Sequence, residues 1–228
     1  MVLSSEHDPY DKFMQAQQQT WDSVPHPFVD VVYYYCGGRG INKNVMNGPK
    51  LNRSTELSVE CSTDYYKMHW KFKKALDIVN YGQYDYIFRT NASSYIDKQA
   101  LYEYAKKLPK HRLYAGWLLG WLNKYVEFEG RKIRELCISG AGIWFSFDSL
   151  GLLHRDIRED HNKKIEDDVL FGRIMLTHGI QPINIRQMIS LTGVEDYIPG
   201  SYHYRLKTND REKDIETMYW LHDKIRKL

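Results

Sequence analysis

A Rossmann-like α/β domain, with a mainly parallel sheet and helices on both faces, is the fold class this sequence predicts. Three observations lead there. Runs of β-branched and aromatic residues at 28–36 and 84–90 read as strands. Between them Met68, Phe72, Ala75, Leu76 and Val79 recur at helical spacing, so strand and helix alternate through the first half of the chain. Finally, 228 residues, 43% of them hydrophobic, suffice for one domain with a real core, and no linker divides 1–228.

The elements follow in order. Val2-Leu3 reads as the tail of a first strand ending at Ser4-Ser5-Glu6. A helix over 11–21 carries Phe13, Ala16 and Thr20 at helical spacing, and Pro25 and Pro27 end that unit. The strand at 28–36 breaks at Gly37-Gly38-Arg39-Gly40, and 41–55, with its Asn, Gly, Pro and Lys, reads as an exposed loop. A short strand at 57–59 precedes a helix at 64–80. After the central strand at 84–90, Asp97 caps the next helix, which Pro109 closes. Strands at 112–117 and 136–147 come next, the second interrupted by Gly140 and Gly142. A helix from about 163 ends at His178-Gly179, because glycine suits a helix C-terminus. A strand at 180–185 follows, and then a last helix at 214–227 with Met218, Leu221 and Ile225 on one face.

Bulk properties exclude several classes. The net charge is +3, from 32 basic and 29 acidic residues, which lacks the basic face of a nucleic-acid binder. Cys36, Cys61 and Cys137 stand singly with no CxxC pair, so zinc is not indicated and reduced thiols are expected rather than a disulfide framework. No apolar run approaches the roughly 20 residues of a membrane span. The opening residues lack the basic start and apolar middle of a signal peptide. The expectation is therefore a cytoplasmic protein, of a bacterium or of a virus-infected host, with an excised luminal domain as the alternative. The 18 tyrosines and 6 tryptophans suit stacking on bases or sugars, and equally suit a core. No phosphate loop, dinucleotide glycine motif or nucleophile elbow is present.

Four segments carry candidate chemistry. At the end of the central strand, Arg89-Thr90-Asn91-Ala92-Ser93 has the groups to hold a nucleotide-sugar: Arg89 for phosphate, Asn91 and Ser93 for oxygens. The same residues also make an ordinary turn. Glu166-Asp167-Asp168 opens a helix, where acids stabilise the dipole, but one of them facing a cleft would serve as general base. Gly172 behind them would let the helix pack closely. Gly140 and Gly142 mark either a bulge or the close approach of a ligand or of another backbone. His203, between Tyr202 and Tyr204 and followed by Arg205 and Lys207, can ligate a metal, hold a diphosphate or be merely structural.

Taken in order, these segments resemble glycosyltransferase family 31, the Fringe and β-1,3-galactosyltransferase group. Thr20-Trp21 is similar to its early R-x-TW segment, without the arginine. Asp64-x-Tyr66-x-Met68-x-x-Lys71 resembles the D-x-Y-x-N-L-T-x-K helix, and Phe88 to Ser93 the K-T-D-D-D strand. Ser139-Gly140-Ala141-Gly142, followed by Ser146, resembles S-G-x-G-y-x-x-S, and Asp167-Asp168-Val169-Leu170-Phe171-Gly172 resembles E-D-V-x-x-G.

The resemblance implies a GT-A fold and inverting transfer from a UDP-sugar donor to a hydroxyl of a glycan or glycoconjugate acceptor, as in polysaccharide biosynthesis. It implies Asp168 as the base, with Asp167 as the close alternative, and the role needs no raised pKa. It implies Ser4, Ser5 and Glu6 near the uridine, Lys71 among the donor-binding residues, and Gly140 and Gly142 lining the sugar pocket. The family's metal-binding aspartates fall at Asn91 and Ser93, both neutral, where a hard cation such as Mn²⁺ or Mg²⁺ prefers carboxylates. Three outcomes stay open: a divalent cation held weakly by Asn91, Ser93, His203 and the diphosphate; a diphosphate neutralised by Arg89, Arg205 and Lys207; or lost catalysis. A retaining enzyme and a non-catalytic nucleotide- or sugar-binding module are the rival readings.

Overall fold

Val32–Cys36 is buried at all five residues, as a strand covered on both faces must be. Its neighbours point opposite ways. Tyr33 joins a cluster with Phe13, Trp144, Tyr204 and Met218, and Tyr34 one with Phe72, Phe145 and Phe171. Two apolar layers on one strand make a sheet with a core on each side. The structure, a computed structural model, describes residues 1–37, 54–62, 64–119, 124–161 and 165–227. The expected break at 38–40, the loop at 41–53 and the helix start at 163 lie outside them.

Among the described residues the chain runs β1 (Val2–Leu3), α1 (Tyr10–Gln19), β2 (Val32–Cys36), β3 (Thr55–Val59), α2 (Met68–Leu76), β4 (Tyr86–Asn91), β5 (Ser94–Ile96) and α3 (Lys98–Ala105). It continues with β6 (Tyr114–Leu118), β7 (Tyr125–Phe128), β8 (Arg131–Arg134), β9 (Ile138–Ser146), α4 (Phe147–Asp156), α5 (Asp167–Thr177), β10 (Ile183–Asn184), β11 (Met188–Leu191), β12 (His203–Leu206) and α6 (Arg211–Arg226). The main sheet has seven strands in the order β10-β6-β9-β4-β1-β2-β3. The β1/β2, β1/β4, β2/β3 and β10/β6 pairs are parallel. Only β9 is reversed, antiparallel to both β4 and β6. A three-stranded sheet, β11-β12-β5, sits apart, and β7 and β8 form a hairpin.

The mainly parallel α/β fold is therefore as expected, with local differences. The strand expected over 28–36 starts at Val32, four residues late, since Phe28 is 68% exposed. The helix expected over 64–80 opens with a 3-10 turn at Tyr65–Lys67, capped by Asp64, and its α-helical part is Met68–Leu76. The strand expected over 180–185 is reduced to Ile183–Asn184, since Pro182 offers no N–H to a ladder. Asp97 does cap α3, accepting from the Ala100 N–H at 3.0 Å, and Gly179 closes α5 at φ +67°.

The cysteine expectation is overturned. Cys36 and Cys61 form a disulfide with their Cα atoms 5.5 Å apart, and only Cys137 is free. Their separation of 25 in sequence concealed that β2 and β3 run side by side and end together, Cys36 pairing in register with Val59. With that, the cysteine argument for a reducing compartment falls. Closing a loop of this length is worth about 3 kcal/mol in the chain-entropy account. Cys36→Ser with Cys61→Ser should lower stability by about that amount in denaturant unfolding. A change under about 0.5 kcal/mol would mean the bond does not form. No helix among the described residues is long and apolar enough to cross a membrane.

Candidate active site

Ser4, Gly37, Glu60 and Ala92 each follow the last residue of a parallel strand, β1 to β4, so they share one edge of the sheet. Because β9 is reversed, its first residues reach this edge too: Thr90 pairs with Gly142. The Gly140 N–H then donates to Asp168 Oδ2 at 3.0 Å, which fastens the start of α5 to the start of β9. Asn91 and Asp168 thus lie at the same carboxyl edge, where open α/β sheets bind ligands.

Arg89 is buried to 1% exposure and makes three different bonds. Nε donates to Tyr34 Oη at 3.2 Å, Nη1 donates to the Gly140 carbonyl at 2.7 Å, and Nη2 pairs with the Asp167 carboxylate. Burial opposes its charge, but Asp167, Tyr34 and Asp168 together more than offset this and keep it ionised. Arg89 is therefore a strut beneath the site, with each guanidinium nitrogen already in use, rather than a free phosphate ligand. Asp167 is held by that guanidinium and also accepts from the Asp168 N–H at 3.0 Å.

Asp168 is different. Its Oδ2 takes the Gly140 N–H, its Oδ1 takes the Val169 N–H at 2.9 Å, and it makes no ion pair among the described residues. Burial, and then the adjacent Asp167 charge, push its pKa up to about 6. The general-base role expected from the sequence needs no such rise; it arises because Asp168 is drawn out of water at a helix start it shares with Asp167, and only Asp167 receives the arginine.

The remaining candidates divide. Asn91 Oδ1 accepts from the Ser93 N–H at 3.2 Å and the Ser94 hydroxyl at 3.4 Å, which is the turn geometry weighed in the sequence. Ser93 Oγ accepts from Arg211 Nη2 at 2.9 Å. His203 is buried, and its Nε2 lies 2.9 Å from Ser94 Oγ. Burial, and then Arg205, push His203 down to about 3, so it is neutral. Its ring needs Gly142, where a Cβ would stand 2.7 Å from Nδ1. Gly140 is likewise constrained, since a Cβ there would stand 2.8 Å from Arg89 Nη1. Both glycines permit close packing within the protein.

Lys71 is 3% exposed, with its pKa lowered to about 8 by burial and by Arg89. Arg205 is half-buried and senses the charges of Asp168 and Arg211. Neither makes a hydrogen bond or ion pair among the described residues. Lys207 is exposed. Ser4 is buried with an unpartnered hydroxyl, Ser5 Oγ accepts from the His7 N–H at 3.3 Å, and Glu6 is exposed.

Sequence reasoning missed three participants. Arg211 reaches Ser93 from α6, while Tyr34 supports Arg89 from β2. Tyr65, 60% exposed, has its phenol raised by partial burial and by Glu166, Asp167 and Asp168. Tyr65 lies within the helix expected over 64–80, but no local pattern brings it within the field of the acids that open α5. A cavity of about 580 Å³ opens elsewhere, on the amino edge, between Met1, Val31, Tyr86 and Trp144. Its buried lysine, Lys98, is already paired with Asp22 at 2.8 Å, so it offers no comparable chemistry.

No family model matches the sequence, and no curated protein does. The structure superimposes on a crystal structure of a glycosyltransferase involved in the glycosylation of the major capsid of PBCV-1. The TM-score is 0.54 at 9% identity, over 96% of this chain and 98% of that one. The fold is GT-A-like. At that identity the likeness concerns the path of the backbone and leaves the chemistry to the residues.

Proposed function

We propose that this chain is a glycosyltransferase that moves a sugar from a nucleotide-sugar, UDP-linked, to a hydroxyl of a glycan or glycoconjugate, with inversion. The observation that carries the proposal is Asp168: a half-buried carboxylate without a cationic partner, its basicity raised, at the carboxyl edge of a GT-A-like sheet. The shared fold with a glycosyltransferase supports the reaction class, and the resemblance to the Fringe group supports the donor.

In this mechanism the acceptor oxygen attacks the anomeric carbon as the bond from that carbon to the diphosphate breaks. The electron pair leaves on UDP and the acceptor proton passes to Asp168. A base near pKa 6 is ionised at neutral pH yet basic enough to take a proton as the hydroxyl acidifies. Asp167 is the poorer base because its charge is committed to Arg89. Uridine is assigned to Ser4, Ser5 and Glu6, where the Ser4 hydroxyl is buried and unpartnered.

Incubation of the protein with UDP-sugars and glycan acceptors, read by proton NMR, tests this. A β-linked product from an α-linked donor is expected. An α-linked product would mean retention, and UDP binding without transfer would mean a binding module. The rate constant should also fall as pH drops through about 6, because the base must be ionised. The expected slope is about tenfold per pH unit below that point. A flat profile down to pH 4 would remove Asp168 from the role.

A further inference from the structure

The groups that a divalent cation would need at the strand end are already engaged. Asn91 Oδ1 accepts from both Ser93 and Ser94. Ser93 Oγ accepts from a guanidinium, so the nearest formal charge there is positive. His203 is paired with Ser94 and packed on Gly142. No group of three His, Cys, Asp or Glu side chains among the described residues is arranged to hold a metal ion. Hard cations want several oxygen ligands, with carboxylates to balance charge. This donor set does not fit one.

Positive charge, by contrast, is present and uncommitted. Lys71 is buried beside Asp167 and Arg89 without a hydrogen bond or ion pair among the described residues. Arg205 is half-buried beside Asp168 and equally unpaired. Cations drawn this far out of water are usually hydrogen-bonded to a partner. Neither the Lys71 ammonium nor the Arg205 guanidinium is, and neither is among the sealed-off polar atoms, so both are open to a ligand near the two acids at the helix start, one from α2 and one from β12. Lys71 offers a point charge and Arg205 a planar fork that matches phosphate oxygens.

We propose that Lys71 and Arg205 take the place of the divalent cation: they clamp the donor's diphosphate and stabilise it as the leaving group, so that the enzyme works without metal. The clamp rests on the nucleotide-sugar reading above and deepens it. When the anomeric C–O bond breaks, the new negative charge on the terminal phosphate oxygen falls between these two cations, while the acceptor proton goes to Asp168. Arg89 takes no part as a ligand.

The test is calorimetric titration of the full chain with UDP, uridine and inorganic pyrophosphate, in chelator and in Mn²⁺. UDP and pyrophosphate should bind equally well in both buffers, within about twofold. Lys71→Met and Arg205→Gln should each weaken UDP and pyrophosphate by about ten- to a hundredfold, the usual effect of losing a hydrogen bond to a charged group. Uridine binding should be unchanged in both variants, which also shows that they fold. UDP binding that appears only with Mn²⁺ overturns the clamp and leaves the donor assignment standing. Binding of pyrophosphate through Lys71 and Arg205, with UDP no tighter, supports the clamp and overturns the uridine assignment. Unchanged UDP affinity in both variants overturns the clamp outright.

Discussion

Asp168→Asn is expected to abolish glycosyl transfer and at the same time make the protein more stable. Loss of a general base costs about 10²- to 10⁴-fold in rate. The stability gain follows from the raised pKa. The folded protein binds a proton at Asp168 up to about pH 6, whereas an ordinary aspartate releases it at 3.8. Stability contributed by the protonated form is therefore lost as pH rises from about 4 through 6, and at pH 7 the ionised side chain works against the fold. Asparagine removes that charge and still accepts the Gly140 N–H. The rise from 3.8 to about 6 converts to at most about 3 kcal/mol, and partial solvation reduces this to about 1. For a chain of this size that is a rise of about 2–4 °C in Tm. Thermal unfolding and an assay of the same sample decide the matter. A variant that loses activity and melts lower would mark Asp168 as structural, and full activity would assign the base elsewhere.

Arg89→Ala is expected to cost about 3–5 kcal/mol of stability, the typical effect of removing one partner of a buried ion pair. It would leave Asp167 without its cation and the Gly140 carbonyl and Tyr34 hydroxyl without their donor. Replacing both members, Arg89→Met with Asp167→Leu, should recover part of the loss, because no unpaired charge is then left inside. Arg89 also has a positioning role that packing alone would not produce. Its charge helps hold the Asp168 pKa down. In whatever fraction of Arg89→Ala stays folded, the acid limb of the pH–rate profile should move to higher pH. Denaturant unfolding that shows less than 1 kcal/mol lost, together with a large loss of UDP affinity, would instead make Arg89 a phosphate ligand.

Much of this architecture could be read from periodicity. The parallel strands β1 to β4 and the helices α1 to α3, α5 and α6 announce themselves by apolar runs, stripes and caps such as Asp97. Helix α4 went unseen because Phe147 follows Ser146 with no turn residue between strand and helix. The small sheet β11-β12-β5 went unseen because its three strands come from distant parts of the chain and β5 has three residues. The segments singled out at 89–93, 140–142 and 167–168 do meet at one edge of the sheet, but the contacts among their side chains could not be read from the sequence. That Arg89 serves Asp167 and not a phosphate depends on a register between β4, β9 and α5 that no local pattern encodes. The same holds for Cys36 and Cys61, whose meeting follows from the pairing of β2 with β3.

β9 runs against both of its neighbours in the main sheet. Because it enters the sheet from the carboxyl edge, one peptide unit, Gly140, meets both the acid and the guanidinium: its N–H faces Asp168 and its carbonyl faces Arg89. That unit acts as a ruler, keeping the Asp168 carboxylate and the Arg89 guanidinium a constant distance apart. Insertions or deletions just upstream of Ile138 would shift this ruler directly, whereas changes beyond Ser146 would be absorbed at the far rim of the sheet.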